Sequence, residues 1–192
     1  MQNFVYLWVD SGTRQGVVID SGWEVGPIVE AAMTGRVKVK FVVATHGHFD
    51  HVGSIDDLAK ELGAEVVAHE SSEIRSDVRV KDSETLSVGD SRLKIIHTPG
   101  HSIDSVCLFD DRLIFTGDTL FVGTIGRLDS GEESTKAMYH SLHEKILKLP
   151  PSTVFYPGHD YGEVPSRSLA DEAKANPYLL VRDYHSFREL VS

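Results

Sequence analysis

Residues 45–51 read Thr-His-Gly-His-Phe-Asp-His, which sets His46, His48, Asp50 and His51 within six positions. Three further polar groups stand in short phrases of small and turn-forming residues: His101 in Thr-Pro-Gly-His-Ser, Asp118 in Thr-Gly-Asp-Thr and His159 in Pro-Gly-His-Asp. Neutral imidazoles and carboxylates are the ligands that borderline divalent cations favour. Five histidines and two aspartates exceed the four ligands of one tetrahedral zinc, but they suit two ions about 3.5–4 Å apart, bridged by a carboxylate and a water. Cysteine is absent from the set, so zinc, iron or manganese is expected rather than copper(I). Such a pair brings the pKa of a bound water to about 7 and polarises a carbonyl, which gives hydrolysis without a serine or cysteine nucleophile. Two divalent ions set against Asp50, Asp118 and a hydroxide leave about one positive charge, enough to attract an anionic or electron-rich acyl substrate. Asp50 and Asp118, the carboxylates of the set, are the candidate catalytic residues.

The elements that must position these groups are legible from periodicity and punctuation. Apolar runs predict strands at Phe4–Val9, Gly16–Ile19, Val39–Ala44, Glu65–Ala68 and Thr153–Tyr156. Gly89-Asp90 marks a hairpin between Glu84–Val88 and Arg92–Ile96, and Asp110-Asp111-Arg112 a second between Val106–Phe109 and Leu113–Phe115. Helices are expected over Glu24–Thr34, from a Ser54 cap through Leu62 with Gly63 as its stop, over Ser134–Leu147, and over Ser166–Ala175. Residues 176–192 read as a partly helical flap. Each chemical phrase follows the C-terminal end of an apolar strand, where short loops on a rigid scaffold can converge.

Bulk properties narrow the function. A chain of 192 residues with 41% hydrophobic and 25% charged residues reads as one domain. Nineteen Lys and Arg against 29 Asp and Glu give a net charge of −10, which argues against nucleic-acid and anionic-membrane partners. No run has the apolar length of a membrane span, no basic start marks a secretory signal, and the single Cys107 excludes an internal disulfide. A small-molecule substrate and a cytoplasmic setting are therefore expected.

The phrases THGHFDHVGS, HTPGHS, FTGDTLF and YPGHDYG together resemble the metallo-β-lactamase superfamily, and within it the glyoxalase II branch. The resemblance runs from about Tyr6 to Leu180. It implies an α+β fold, an αββα sandwich of two mixed sheets with helices on both outer faces and the metals at one edge; residues 166–192 would be a short C-terminal helical extension. It further implies that His46, His48 and His101 hold one metal, that Asp50, His51 and His159 hold a second, and that Asp118 bridges them. The implied activity is hydrolysis of a thioester such as a hydroxyacyl-glutathione, with Zn2+ the leading metal. Arg127 in Gly-Arg-Leu-Asp and Tyr161 after Gly-His-Asp are the candidates for substrate contact.

Two features blur the substrate. Only about 30 residues follow PGHDYG, where larger glyoxalase II enzymes carry a glutathione-gripping region, and the branch's Cys-Gly-Lys/Arg phrase stands here as Ile125-Gly126-Arg127. The stretch YHSLHEKILKLP also resembles persulfide dioxygenases, which would use a single Fe2+ on His46, His101 and Asp118. Lactonase action is a further alternative. His69 and His97 read as structural or supporting residues, His140 and His143 as surface or packing residues of a helix, His185 as unpartnered, and Cys107 as a small core residue.

Overall fold

The computed structural model describes residues 2–192. The first sheet has the order β1 (Tyr6–Val9), β2 (Gln15–Ile19), β3 (Lys38–Val43), β4 (Glu65–His69), β5 (Val78–Val80). β1 and β2 form an antiparallel hairpin, and the other pairs are parallel. The second sheet runs β13 (Arg167–Ser168), β12 (Val154–Pro157), β9 (Leu113–Gly117), β8 (Val106–Phe109), β7 (Ser91–His97), β6 (Thr85–Val88). There β9 and β12 are parallel and the remaining pairs antiparallel. A small hairpin, β10 (Leu120–Phe121) and β11 (Thr124–Ile125), stands apart from both sheets.

Strand periodicity builds the layers. Val17, Ile19, Phe41 and Val43 point inward and pack with Leu93, Ile95, Leu108 and Phe115 of the second sheet. Their alternates, Val18, Val42 and Val66, face outward onto Ala32 of α1 (Val25–Thr34) and Leu58 of α3 (Ile55–Leu62). On the far side, Ile96, Cys107, Ile114 and Phe155 meet Met138 of α4 (Glu132–His140), Leu169 of α5 (Leu169–Ala175), Leu179 of α6 (Pro177–Leu180) and Phe187 of α7 (Tyr184–Val191). Three apolar layers thus separate two sheets and two groups of helices, the expected αββα sandwich with mixed sheets.

Several local expectations are corrected. The first strand begins at Tyr6, and Ser166 precedes the β13–α5 segment, which is capped instead by the Ser168 hydroxyl accepting from the Asp171 N–H. The Ser54 hydroxyl does not cap α3; it donates to the carbonyls of Ser21 and Gly22. The expected Ser134–Leu147 helix starts at Glu132 and widens after His140 into a π turn over Ser141–Lys145 and a 3-10 turn over Ile146–Lys148. Side chains of that turn bond outward: Ser141 Oγ donates to Pro99 O at 2.8 Å, and His143 Nε2 to Tyr178 O at 3.1 Å. The tail is partly helical as expected, in α6 and α7, but it is no flap, because Phe187 is fully buried in the outer core. Among the described residues, no helix is long and apolar enough to cross a membrane.

Candidate metal centre

Five strands deliver their C-terminal ends to one edge of the sandwich. β3 leads into Thr45 and His46, β7 into the loop carrying His101, β9 into Asp118, and β12 into His159. The fifth, β2, leads into Asp20, which the sequence reading did not single out. Backbone bonds tie these ends together: Asp20 N–H to Val43 O, Val106 N–H to Thr45 O and Gly158 N–H to Gly117 O, at 2.8–2.9 Å. A one-turn helix, α2 (Phe49–Val52), carries Asp50 and His51 on its first turn.

The seven predicted ligands are brought together. His46 Nε2, His48 Nδ1 and His101 Nε2 form a triangle with sides of 3.0, 2.9 and 3.2 Å. Tetrahedral zinc with nitrogens at 2.0–2.1 Å needs ligand separations of about 3.3 Å, so the triangle is close to the size of one coordination face. Across from it, His51 Nε2 and His159 Nε2 are 3.2 Å apart, and Asp50 Oδ2 lies 3.4 Å from His159 Nε2 and 3.8 Å from His51 Nε2. Asp118 stands between the sets. Its Oδ1 is 3.4 Å from His51 Nε2, and its Oδ2 is 3.5 Å from His101 Nε2 and 3.3 Å from His159 Nε2. Three groups of ligand atoms lie within 4.8 Å of one another: His46, His48, His101; His46, His51, Asp118; and Asp50, His51, His159.

Hydrogen bonds on the far ring nitrogens set the tautomers. His101 Nδ1 donates to the Arg127 carbonyl at 2.6 Å, which leaves the Nε2 lone pair facing inward. His51 Nδ1 donates to Asp20 Oδ2 at 2.8 Å. His46 is held by a relay: its Nδ1 donates to Thr45 Oγ1 at 3.1 Å, and that hydroxyl donates to Asp20 Oδ2 at 3.0 Å. Buried Asp20, whose Oδ1 also accepts from the Thr45 N–H, therefore supports one imidazole of each set. On the opposite side, Asn3 Nδ2 donates to Asp50 Oδ2 at 3.1 Å.

The electrostatics suit cations. Burial, with His51 nearby, holds His46 well below the usual histidine range, and burial also lowers His101, so both lone pairs are free at neutral pH. Burial opposes charge on Asp118, but the His159 and His51 imidazoles beside it outweigh that and keep the carboxylate ionised. Burial would lower His51 too; Asp20 and Asp118 override it and raise the imidazole to about 10. Asp118 Oδ1 and His159 Nδ1 are buried with no hydrogen-bond partner. A Cβ on Gly158 would fall 2.4 Å from Asp118 Oδ1, and one on Gly126 would overlap the Asp118 carbonyl at 1.8 Å. Converging lone pairs, ionised carboxylates and an unpartnered inward oxygen are what a divalent pair requires.

The two substrate candidates fare differently. Tyr161 is 55% exposed and stacks on His159, with ring centroids 4.7 Å apart and planes 4° apart, so it lies over the site. The Arg127 residue is exposed, and the part of it that touches the site is its backbone carbonyl. Of the other histidines, His69 and His97 stack on each other at 3.9 Å, His143 packs on Tyr139, and His140 is exposed. His185 has a partner after all, Glu189 at 3.5 Å. Asp20, Asn3 and the Arg127 carbonyl were missed from sequence; Asp20 left a trace, as one more polar residue just past an apolar strand.

Comparisons with known proteins agree with this geometry. The sequence model of the Metallo-beta-lactamase superfamily matches residues 1–76 and 70–159. The chain is 30% identical over 185 residues to the probable polyketide biosynthesis zinc-dependent hydrolase PksB of Bacillus subtilis, covering 93% of this chain and 82% of the relative. It is 32% identical to a hydroxyacylglutathione hydrolase of Pelagibacter ubique, over 94% of this chain and 76% of that one. It is equally 32% identical to the human mitochondrial persulfide dioxygenase ETHE1, over 92% and 71%. The crystal structure of ETHE1 from Myxococcus xanthus superposes with a TM-score of 0.89 at 29% identity, covering 99% of this chain and 85% of that chain. With its fold, its edge-mounted ligand cluster and this match, the chain belongs to the metallo-β-lactamase superfamily.

Proposed function

We propose that the chain is a metal-dependent hydrolase that cleaves a thioester of the hydroxyacyl-glutathione kind, or a related ester. The observation that carries this is Asp118, whose carboxylate reaches both ligand sets: Oδ1 lies near His51, and Oδ2 lies between His101 of one set and His159 of the other. His46, His48 and His101 would hold one divalent ion and Asp50, His51 and His159 a second, with Asp118 joining them; zinc is the leading candidate, and iron or manganese suits the same donors. When bound, such a pair brings the pKa of a coordinated water near 7 and polarises the scissile carbonyl. Asp20 keeps the His51 lone pair, and through Thr45 that of His46, aimed inward. Asp50, whose Oδ2 accepts from Asn3, would orient the attacking water and take its proton. Tyr161 forms an exposed aromatic wall beside His159, and the exposed Arg127 side chain would meet an anionic thiol carrier. A thiolate is a good leaving group, so the reaction needs no strong general acid.

A second reading, a persulfide dioxygenase with one Fe2+ on His46, His101 and Asp118, is favoured by the 32% identity to a persulfide dioxygenase over 92% of this chain. Metal analysis of purified protein, combined with thioester and persulfide assays, separates the two. Two zinc ions per chain with release of free thiol supports hydrolysis. One iron per chain with persulfide-dependent oxygen uptake, and no thioester cleavage, overturns it.

A further inference from the structure

Beside the metal edge lies an open groove of about 430 Å³ between the N-terminal segment and α1. Its walls are Val5 and Leu7 on one side and Trp23, Pro27, Ile28 and Ala31 on the other. β1 runs antiparallel to β2, with Tyr6 opposite Ile19, so the Asn3 and Trp23 end of the groove is the end nearest Asp20 and the ligands. The two sites share residues: Asn3 lines the groove and bonds Asp50, and Ser21 and Gly22 line it while their N–H groups donate to His51 O. At the junction Trp23 meets Phe49, the residue between His48 and Asp50, edge-on with centroids 4.5 Å apart. Both rings are large and open to solvent, Trp23 at 49% and Phe49 at 68%. Exposed aromatic pairs beside a reactive centre mark a surface that apolar ligand atoms cover.

We infer that this groove seats the acyl tail of the substrate, and that the tail is a neutral aliphatic chain; the inference rests on the thioester reading and specifies its substrate class. From Val25 to Ala31 the helix rises about 9 Å, the extended length of roughly seven carbons. Glu24 is the one charged side chain among the described lining residues, so a chain ending in a carboxylate is disfavoured. Tyr161 and Arg127 stand on other loops, which leaves them for the thiol half of the thioester.

The test is a series of S-acylglutathione thioesters from acetyl to decanoyl, assayed on metal-loaded wild-type, Ala31→Trp and Trp23→Ala proteins. Wild-type kcat/KM rises about fourfold per methylene until the groove is filled, near octanoyl. In Ala31→Trp, which plugs the far end, the octanoyl-to-acetyl ratio falls by about tenfold or more, and Trp23→Ala lowers it as well. A ratio is unaffected by any fraction of misfolded protein, since both substrates lose it equally. A flat chain-length profile, or a wild-type ratio in Ala31→Trp, overturns the assignment. If no thioester of any length is cleaved, the thioester reading itself fails, and calorimetry with the non-cleavable thioethers S-octylglutathione and S-methylglutathione decides the groove separately. Tighter binding of the octyl compound in wild type but not in Ala31→Trp supports an aliphatic site, whereas equal affinities overturn it.

Discussion

Replacing Asp20 by asparagine tests how the centre is held without touching a proposed ligand. The Asp20 carboxylate accepts three bonds: from the Thr45 N–H at 2.8 Å, the Thr45 hydroxyl at 3.0 Å and His51 Nδ1 at 2.8 Å. An asparagine keeps the size, and it tolerates the left-handed backbone of this position, where φ is 56°. Its NH2 group, however, must face either the Thr45 N–H or the pair of donors at Oδ2. In the second orientation His51 loses its acceptor and shifts its proton to Nε2, which blocks the lone pair proposed to ligate. Loss of a hydrogen bond to a charged group costs about 1.5–3 kcal/mol. Removal of the partner behind a metal-bound histidine weakens metal binding about 10–100-fold, or about 1.4–2.7 kcal/mol, so the two routes agree. The loss should fall first on the ion held by Asp50, His51 and His159, because His46 reaches Asp20 only through Thr45. Competition against a fluorescent zinc chelator, with thermal unfolding as a check on folding, reads this directly. A folded Asp20→Asn protein that binds both ions with wild-type affinity would refute the tautomer argument.

Three further outcomes are expected. Asp118→Ala should abolish thioester cleavage and lower bound metal below two ions per chain by elemental analysis, and full activity with normal metal would remove Asp118 from the centre. Arg127→Ala should leave metal content unchanged, because the carbonyl that receives His101 is retained, and should raise KM for anionic substrates more than it lowers kcat; an unchanged KM would take the guanidinium out of substrate binding. Zinc and a proton compete for His51 Nε2, whose folded pKa of about 10 lies above the ordinary histidine value of about 6.5. Apparent affinity at the second set should therefore climb about tenfold per pH unit from 7 and level off near pH 10; a flat profile in pH-dependent titration calorimetry would contradict it. The same raised pKa stabilises the metal-free fold fully below pH about 6.5, and that contribution is lost as pH rises through about 10.

The convergence of the seven candidate ligands was legible because each carries two signals at once: a side chain able to bind metal and a place just past an apolar strand. Asp20 shares the second signal, but a lone aspartate after Gly16–Ile19 has nothing nearby in the chain to mark it. Its partners, Thr45 and His51, are 25 and 31 residues away and meet it only through parallel pairing of β2 with β3. Asn3 was hidden for the same reason, since its place beside Asp50 depends on the N-terminal segment crossing to Gly158 and His159. The Arg127 carbonyl has no side-chain signature at all; the local trace is Gly126, where any Cβ would strike Asp118. The layered fold was readable from period-two alternation, as in Val17, Val18 and Ile19. Two-residue strands such as β10, β11 and β13 are too short to show a period. The π turn after His140 escaped for another reason: apolar spacing continues through it, while the bonds of Ser141 and His143 to distant carbonyls are tertiary.

The most direct measurement is anomalous diffraction from crystals grown with zinc. Two peaks about 3.5–4 Å apart are expected, one on His46, His48 and His101 and the other on Asp50, His51 and His159, with Asp118 between them. A single peak confined to His46, His101 and Asp118, or none at this edge of the sandwich, would contradict the two-metal account.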